Sequence, residues 1–346
     1  MNIVVTGASG FIGSKFIKIY GNKFNSIVEL NSKTAPLNDY IKLAELTKDT
    51  DVLVHTAFDH NYKQNIVGIK NILNVCRENS IKKLVYISTV SVYNPDYEGM
   101  LSESTVYSTI NDPYSKEKRR IEKIIDNFES KSFDIIILQP SIVYGIGGNW
   151  TKYALHVCKS KSLLLPNRGE DKCNIIYVDD IANCIYQSIN LNIKYEKILI
   201  SSEIITWKEF YQKHCKVLKN LSMPSSCNIL NNESKHDFHD NSVINFIFIL
   251  WFKTPLGNVF NLLVSTLKKI RANNYENTST QGELSKYLNS DVDSNILTPL
   301  GITKKVHACK FQVDTSKAKE IFGFALKDGF NSGIEKINED IKKVLL

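Results

Sequence analysis

Along the first 140 residues, short runs that are apolar at almost every position alternate with stretches whose apolar residues recur at helical spacing. The runs fall at 2–6, 26–30, 52–55, 83–88 and 134–138, and the helical stretches at 11–20, 39–48, 62–79 and 113–130. Runs such as "KLVYIS" and "DIIIL" lack the in–out alternation of a half-exposed sheet, as expected where helices cover both faces. This order predicts an α/β protein built on a Rossmann-type, doubly wound parallel sheet, with ligands at the carboxyl ends of its strands.

After about residue 145 the rhythm loosens. A helix at 150–160, a strand at 174–178, a helix at 180–191, a strand at 196–200 and a helix at 206–218 predict a smaller α/β substrate-binding lobe. The expected division is a nucleotide-binding domain over 1–150, with 174–200 partly returning to it, and a lobe over 151–346. Within the lobe, 222–300 reads as an insertion with polar flanks around "SVINFIFILWFKTPLGNVFNLLVSTLKKIR". Lys253 and Pro255 split that stretch into two apolar segments, each short of the roughly 20 residues a spanning helix needs. The first expectation is a helical hairpin over 243–267, packed on the lobe or in a homodimer interface. The alternative is a peripheral membrane anchor, with Lys268, Lys269 and Arg271 facing headgroups. Closing helices are predicted at 315–323 and 331–344.

Composition narrows the picture little. The net charge of +7 comes from lysines dispersed along the chain rather than clustered as a nucleic-acid footprint, so no nucleic-acid partner is expected. Seven scattered cysteines without a CxxC pair, and seven histidines without an HExxH, predict reduced thiols and no metal site. With a strand starting at Asn2 there is no room for a secretory leader, so the expected location is cytoplasmic, or peripheral at a membrane.

The candidate chemistry begins at "TGASGFIG", where Gly7, Gly10 and Gly13 follow a strand and open a helix. In that context the glycines permit a tight turn, close approach of backbone amides to a pyrophosphate, and close packing of helix on strand. The phosphates would meet the unpaired N–H groups and dipole of a helix N-terminus. Asn31 stands at the end of the second strand, where a carboxylate usually takes the adenosine ribose. Lys33 nearby could attract a 2′-phosphate, so NAD and NADP both stay open, with NAD first.

At "DPYSKEK", Asp112 is a good N-cap and Pro113 suits the first helical position. Tyr114 and Lys118 then share one helix face, and Tyr114 is the one tyrosine in the chain with a lysine four residues on. An adjacent ammonium and the helix N-terminus are expected to lower the tyrosine's pKa, making it an acid/base for an alcohol or ketone. Thr89, at the carboxyl end of "KLVYIS", can hydrogen-bond the same substrate oxygen. Arg168, in "LLLPNRGEDKCNIIYVDD", is a candidate for a substrate phosphate through a bidentate guanidinium.

Taken in order, "TGASGFIG", "VLVHTAF", "NIVGIKNIL", "YISTVSVY", "YSKEK", "QPSIVYGIGG" and "YVDDIANCI" resemble the extended short-chain dehydrogenases/reductases. These are the NAD-dependent epimerase/dehydratase family of nucleotide-sugar enzymes. The likeness covers about 1–200 and again 311–334. It implies that Tyr114 is the general acid/base, that Lys118 tunes it and holds the nicotinamide ribose, and that Thr89 fills the catalytic Ser/Thr position. It also implies a dinucleotide turn of Gly7, Gly10, Phe11, Ile12 and Gly13, with Ala57 and the segment from Pro140 to Val143 lining the cofactor. Gln139 stands where an arginine is common. Val90 and Ser91 replace the Asp-Glu pair that family 4,6-dehydratases carry, and related decarboxylases keep the glutamate. What remains is an NAD(P)-dependent sugar-nucleotide epimerase or oxidoreductase working through a keto intermediate. The competing expectations are a reductase of a 4-keto sugar or a lipid (sterol-like) ketone, and a non-catalytic dinucleotide sensor or scaffold.

Overall fold

The computed structural model describes residues 1–59, 61–110, 112–128, 133–159, 162–222, 225, 228–231, 296–297, 302–322 and 329–345. These belong to one compact unit formed by Met1–Asn231 and Val292–Leu346. The apolar hairpin expected over 243–267, and most of the 222–300 insertion, lie outside the described residues.

The first half runs β1 (Asn2–Thr6), α1 (Phe11–Tyr20), β2 (Ser26–Leu30), α2 (Tyr40–Leu46), β3 (Val52–His55), α3 (Tyr62–Glu78) and β4 (Lys83–Ile87). It continues through β5 (Glu98–Leu101), α4 (Pro113–Asp126), β6 (Asp134–Pro140) and β7 (Ile142–Tyr144). The second half brings α5 (Asn149–Val157), β8 (Ser162–Leu165), β9 (Lys172–Tyr177), α6 (Val178–Asn190), β10 (Tyr195–Ile200), β11 (Glu203–Thr206) and α7 (Trp207–Asn220). After β12 (Asn228–Asn231) and β13 (Ile296–Leu297) come helix Ile302–His307, β14 (Lys310–Val313) and helices Ser316–Phe322 and Phe330–Leu345.

Six parallel strands in the order β10-β6-β4-β3-β1-β2 form the main sheet. Its continuous apolar runs are explained by two covered faces. Ile3, Val5 and Val54 pack with Phe16 of α1 and Ile181 and Ile185 of α6 on one side. Val4, Leu53 and Leu84 pack with Ile69 and Leu73 of α3 and Ile121 of α4 on the other. Successive strand residues point to opposite faces, so burial on both requires apolar side chains at nearly every position.

Smaller sheets accompany the main sheet among the described residues. They are β11-β9-β7, with β9 parallel to β7 and antiparallel to β11, then β12-β8-β13 and β14-β5. The buried Asn174 on β9 ties β14 in place. Its Nδ2 donates to the Phe311 carbonyl at 3.1 Å, and its Oδ1 accepts from the Val313 N–H at 3.0 Å. That clamp brings the segment around Ile302–Val313 beside strands formed far earlier in the chain.

Among the described residues no helix is long and apolar enough to cross a membrane, no cluster of ligating side chains could hold a metal, and the cysteines are buried and unbridged.

Candidate active site

At the carboxyl ends of β1, β3, β4 and β6 lies a cleft of about 910 Å³. Its floor at β1 is the glycine turn. Gly7 has φ +71, and a β-carbon there would lie 2.6 Å from the Ala57 nitrogen. A β-carbon on Gly13 would lie 2.4 Å from the Gly7 carbonyl oxygen, so α1 can sit this close to the strand only without one. Gly10 lines the cleft, N-caps α1 with extended backbone, and offers no capping side chain. The amides of the first helical turn are therefore open to an anion. Phe11, Ile12, Asn31, Ala57, Pro140 and Val143 also line this half of the cleft, whereas Gly13 is buried beneath it. The turn suits a pyrophosphate by its shape as well as its sequence. Asn31 is partly committed elsewhere, because its Oδ1 accepts from the Lys33 and Thr34 N–H groups at 2.9 and 3.1 Å. Lys33 is exposed and does not line the cleft.

Across the cleft, Asp112 caps α4 as expected, accepting from the Ser115 N–H at 2.7 Å with Pro113 in the first turn. Tyr114 and Lys118 therefore face the same side, and Thr89, just beyond the end of β4, lines the cleft with them. Thr89 Oγ1 also accepts from the Ser91 N–H at 3.2 Å, which holds the turn that follows β4.

The electrostatics differ from the sequence expectation. Burial pushes the Tyr114 phenol up to about 12, and the group that opposes this is Thr89 rather than Lys118. Burial also pulls Lys118 down to about 7, opposed by the Glu122 carboxylate. The correction has a simple cause. Both groups lose water in the same dense site, and desolvation disfavours each charged form more than their proximity favours it. The Lys118 ammonium donates to the Ile87 carbonyl at 2.9 Å and to the Tyr86 hydroxyl at 3.2 Å.

A model of the NAD dependent epimerase/dehydratase family matches residues 3–200. The chain belongs to that family. Among curated relatives it is 29% identical over 183 residues to an uncharacterized UDP-glucose epimerase of Bacillus subtilis (strain 168), covering 42% of this chain and 57% of that one. It is 28% identical over 241 residues to the GDP-6-deoxy-D-talose 4-dehydrogenase of Aggregatibacter actinomycetemcomitans, covering 63% and 80%. The chain spans about half the length of the first curated relatives it matches. Among solved structures, the dTDP-glucose 4,6-dehydratase of Bacillus anthracis str. Ames in complex with NAD superposes with a TM-score of 0.67. It is 17% identical, with 99% of this chain and 97% of that one covered. The fold of the described residues is thus shared with that structure.

Gln139, noted above as standing where the resemblance makes an arginine common, belongs to a buried polar cluster. Gln139 is buried, and its Nε2 donates to both oxygens of the fully buried Glu122 at 3.1 and 3.0 Å. Ser88 and Tyr107 hydroxyls donate to the same carboxylate. The positive charge arrives from β10, where Lys197 Nζ lies 3.4 Å from Glu122.

The last of the expected substrate residues is Arg168. It lies exposed on the tight turn Pro166–Gly169, with φ +52, and does not line the cleft. That turn links β8 to β9, and the cations that line the cleft among the described residues come from other elements. These are Lys118 and Arg119 on α4, Lys172 on β9, and Lys305. Lys172, Asn174, Lys305 and Phe311 were missed because they reach the site through the Asn174 clamp, for which no local motif exists. Phe58 was missed although it directly follows Ala57, already read as cofactor wall.

Proposed function

We propose that this enzyme exchanges a secondary alcohol of a sugar nucleotide with its ketone, acting as a 4-epimerase or closely related oxidoreductase with NAD as cofactor. One observation carries the proposal: Thr89, Tyr114 and Lys118 converge in the same cleft as the glycine turn. The relatives support the substrate class, since their names include UDP-glucose and a GDP-linked 6-deoxysugar, and the Bacillus anthracis structure is a complex with NAD.

The residues would divide the work as follows. The Gly7–Gly10 turn and the first amides of α1 would hold the pyrophosphate, with Ala57 and Pro140–Val143 as walls. The chemistry supplied by the dinucleotide when bound is acceptance and return of a hydride. Tyr114 Oη takes the proton of the substrate hydroxyl and later gives it back, while Thr89 Oγ1 holds the same oxygen. Lys118 has three N–H donors, of which Ile87 and Tyr86 take two; the third is available to a ribose hydroxyl. Below about pH 7 Lys118 is an ammonium, and in that form it favours the phenolate of Tyr114.

Val90 and Ser91 supply no acid–base pair for eliminating water, so the chemistry stops at the carbonyl. NAD is favoured over NADP because the stretch 30–38 brings no lysine or arginine into the cleft to meet a 2′-phosphate.

The test is mass spectrometry of the purified full chain for retained cofactor and sugar nucleotide, followed by turnover of the sugar nucleotide it identifies. Tyr114→Phe should lower turnover by at least ~100-fold, the usual contribution of a positioned acid/base. Turnover within a few-fold of wild type would sink the mechanism. Net consumption of NADH would select the one-way reductase over the epimerase.

A further inference from the structure

Lys118 Nζ lies in a slot between two aromatic rings. It is 4.7 Å from the Phe58 ring centroid and 4.9 Å from that of Tyr86. The inner wall is fixed: Tyr86 is fully buried on β4, stacks on His55 of β3 at 5.5 Å, and His55 Nδ1 is 2.6 Å from Thr6 Oγ1 on β1. The outer wall is different in kind. Phe58 is half-buried, lies beyond the end of β3, lines the cleft, and meets Tyr114 edge to face at 5.1 Å. One side chain thus touches both members of the acid–base pair.

We infer, on the basis of the function proposed above, that Phe58 is a positioning residue for the reaction: it closes the slot that holds the Lys118 ammonium and keeps Tyr114 against Thr89. A ring face attracts a cation through its quadrupole, while the bulk of the ring excludes water that would otherwise solvate it. These two effects act on Lys118 with opposite signs. The ring attraction favours the ammonium; the exclusion of water disfavours it.

The titratable groups around the slot are few and identified. Tyr86 faces Lys118 from β4, Tyr114 and Glu122 from α4, and His55 from β3. Burial and the Lys118 charge together hold His55 down to about 3, so it stays neutral throughout the working range. Tyr114 in turn feels Asp112 and Tyr62. Replacing Phe58, which also touches Tyr114 and Tyr62, adds and removes no charge among these groups, so a change in Lys118 reports the slot the ring helps to form.

The opposite signs make the inference testable without knowing the substrate. Only a neutral amine acylates, so the pH dependence of Lys118 acetylation by acetic anhydride, read by peptide mass spectrometry, gives its titration midpoint. The exposed Lys82 in the same digest serves as internal standard. The wild-type midpoint should fall near the value of about 7 that burial sets. Phe58→Ala admits water and should raise it by about a unit or more, toward the ordinary lysine value. Phe58→Leu keeps apolar bulk but loses the ring, and should lower it. Phe58→Tyr restores the ring and should titrate with the wild type. If Ala unfolds the protein, the Leu and Tyr variants decide alone, since bulk is kept in both.

A Leu variant that titrates with the wild type would reduce Phe58 to filler and overturn the inference. A parallel titration with NAD present separates this outcome from failure of the functional proposal. Should NAD leave Lys118 labelling unchanged in the wild type, the assignment of Lys118 to the cofactor falls. Phe58's hold on it would still be measured by the midpoints.

Discussion

At the scale of single residues, the feature with the largest energetic stake is Glu122. It is a carboxylate with no solvent exposure, surrounded by Ser88, Tyr107, Gln139 and Lys197. Ser88 directly precedes Thr89 and Gln139 directly precedes Pro140, so this one group braces both strand ends that face the cleft. A buried charge that loses its counter-ion is worse than no charge. Lys197→Met should therefore destabilise the protein by about 3 kcal/mol, the usual cost of breaking a buried pair from one side. Glu122→Gln leaves Lys197 its second partner, Asp126 at 2.8 Å, and should cost less. Combining the two should recover part of the Lys197→Met loss, a coupling that urea unfolding of the four proteins would measure. Strict additivity would mean that Lys197 serves Asp126 alone. Of this arrangement only Gln139 was marked in the sequence, as standing where an arginine is common. The link from Glu122 to Lys197 was not legible, because Lys197 lies on a strand that joins the sheet much later in the sequence, and pairing across a sheet leaves no local spacing to read.

Elements were read well wherever their signals are local. The cap Asp112, the Pro113 that follows it, and the spacing of Tyr114 and Lys118 are all contained in one helix start, and α4 begins at Pro113 as expected. Elements set by distant partners escaped. The short strands β5, β7, β8, β11 and β14 carry few residues each and owe their form to neighbours. Lys83 illustrates the same point in a side chain. It is buried at the start of β4 and donates to the carbonyls of Ser188, Ile189 and Leu191, closing the C-terminus of α6 from about a hundred residues away in sequence. The α4 cap gives the prediction proper to this scale. Asp112→Ala removes the acceptor of the Ser115 N–H and should cost about 1 kcal/mol of stability. Because Tyr114 lies in that first turn, fraying should also lower turnover, whereas Asp112→Asn keeps an acceptor and should restore both. Urea midpoints and turnover measured on the two variants check this; equal loss in both would point to the charge of Asp112 rather than its cap.

At the scale of the whole molecule, the sheet places the half of the cleft proposed for the dinucleotide within the first 145 residues, and the chain's return through Asn174 and β14 supplies the other half. The nucleotide half was legible because a strand, a glycine turn and a helix must be contiguous to work. The other half is assembled from segments far apart in sequence, which is why Lys172 and Lys305 went unseen. This asymmetry predicts how the cofactor couples to stability. A ligand that binds only the folded chain at a hundred times its Kd adds about 2.7 kcal/mol, which in a large domain raises Tm by roughly 2–4 °C per kcal/mol. NAD should therefore raise Tm by several degrees. NADP at the same concentration should raise it less, because its 2′-phosphate would meet the stretch 30–38, whose one lysine, Lys33, does not line the cleft, and a loop that already uses the Asn31 oxygen. Gly7→Ala is the decisive control. Its β-carbon would press on the Ala57 backbone at 2.6 Å from a left-handed φ, so the variant should melt lower than wild type and lose the NAD-induced shift. Differential scanning calorimetry of both proteins, each with NAD, NADP and neither, separates the two effects: a Gly7→Ala protein that is merely less stable would keep the full shift, and the dinucleotide would then have to be held elsewhere.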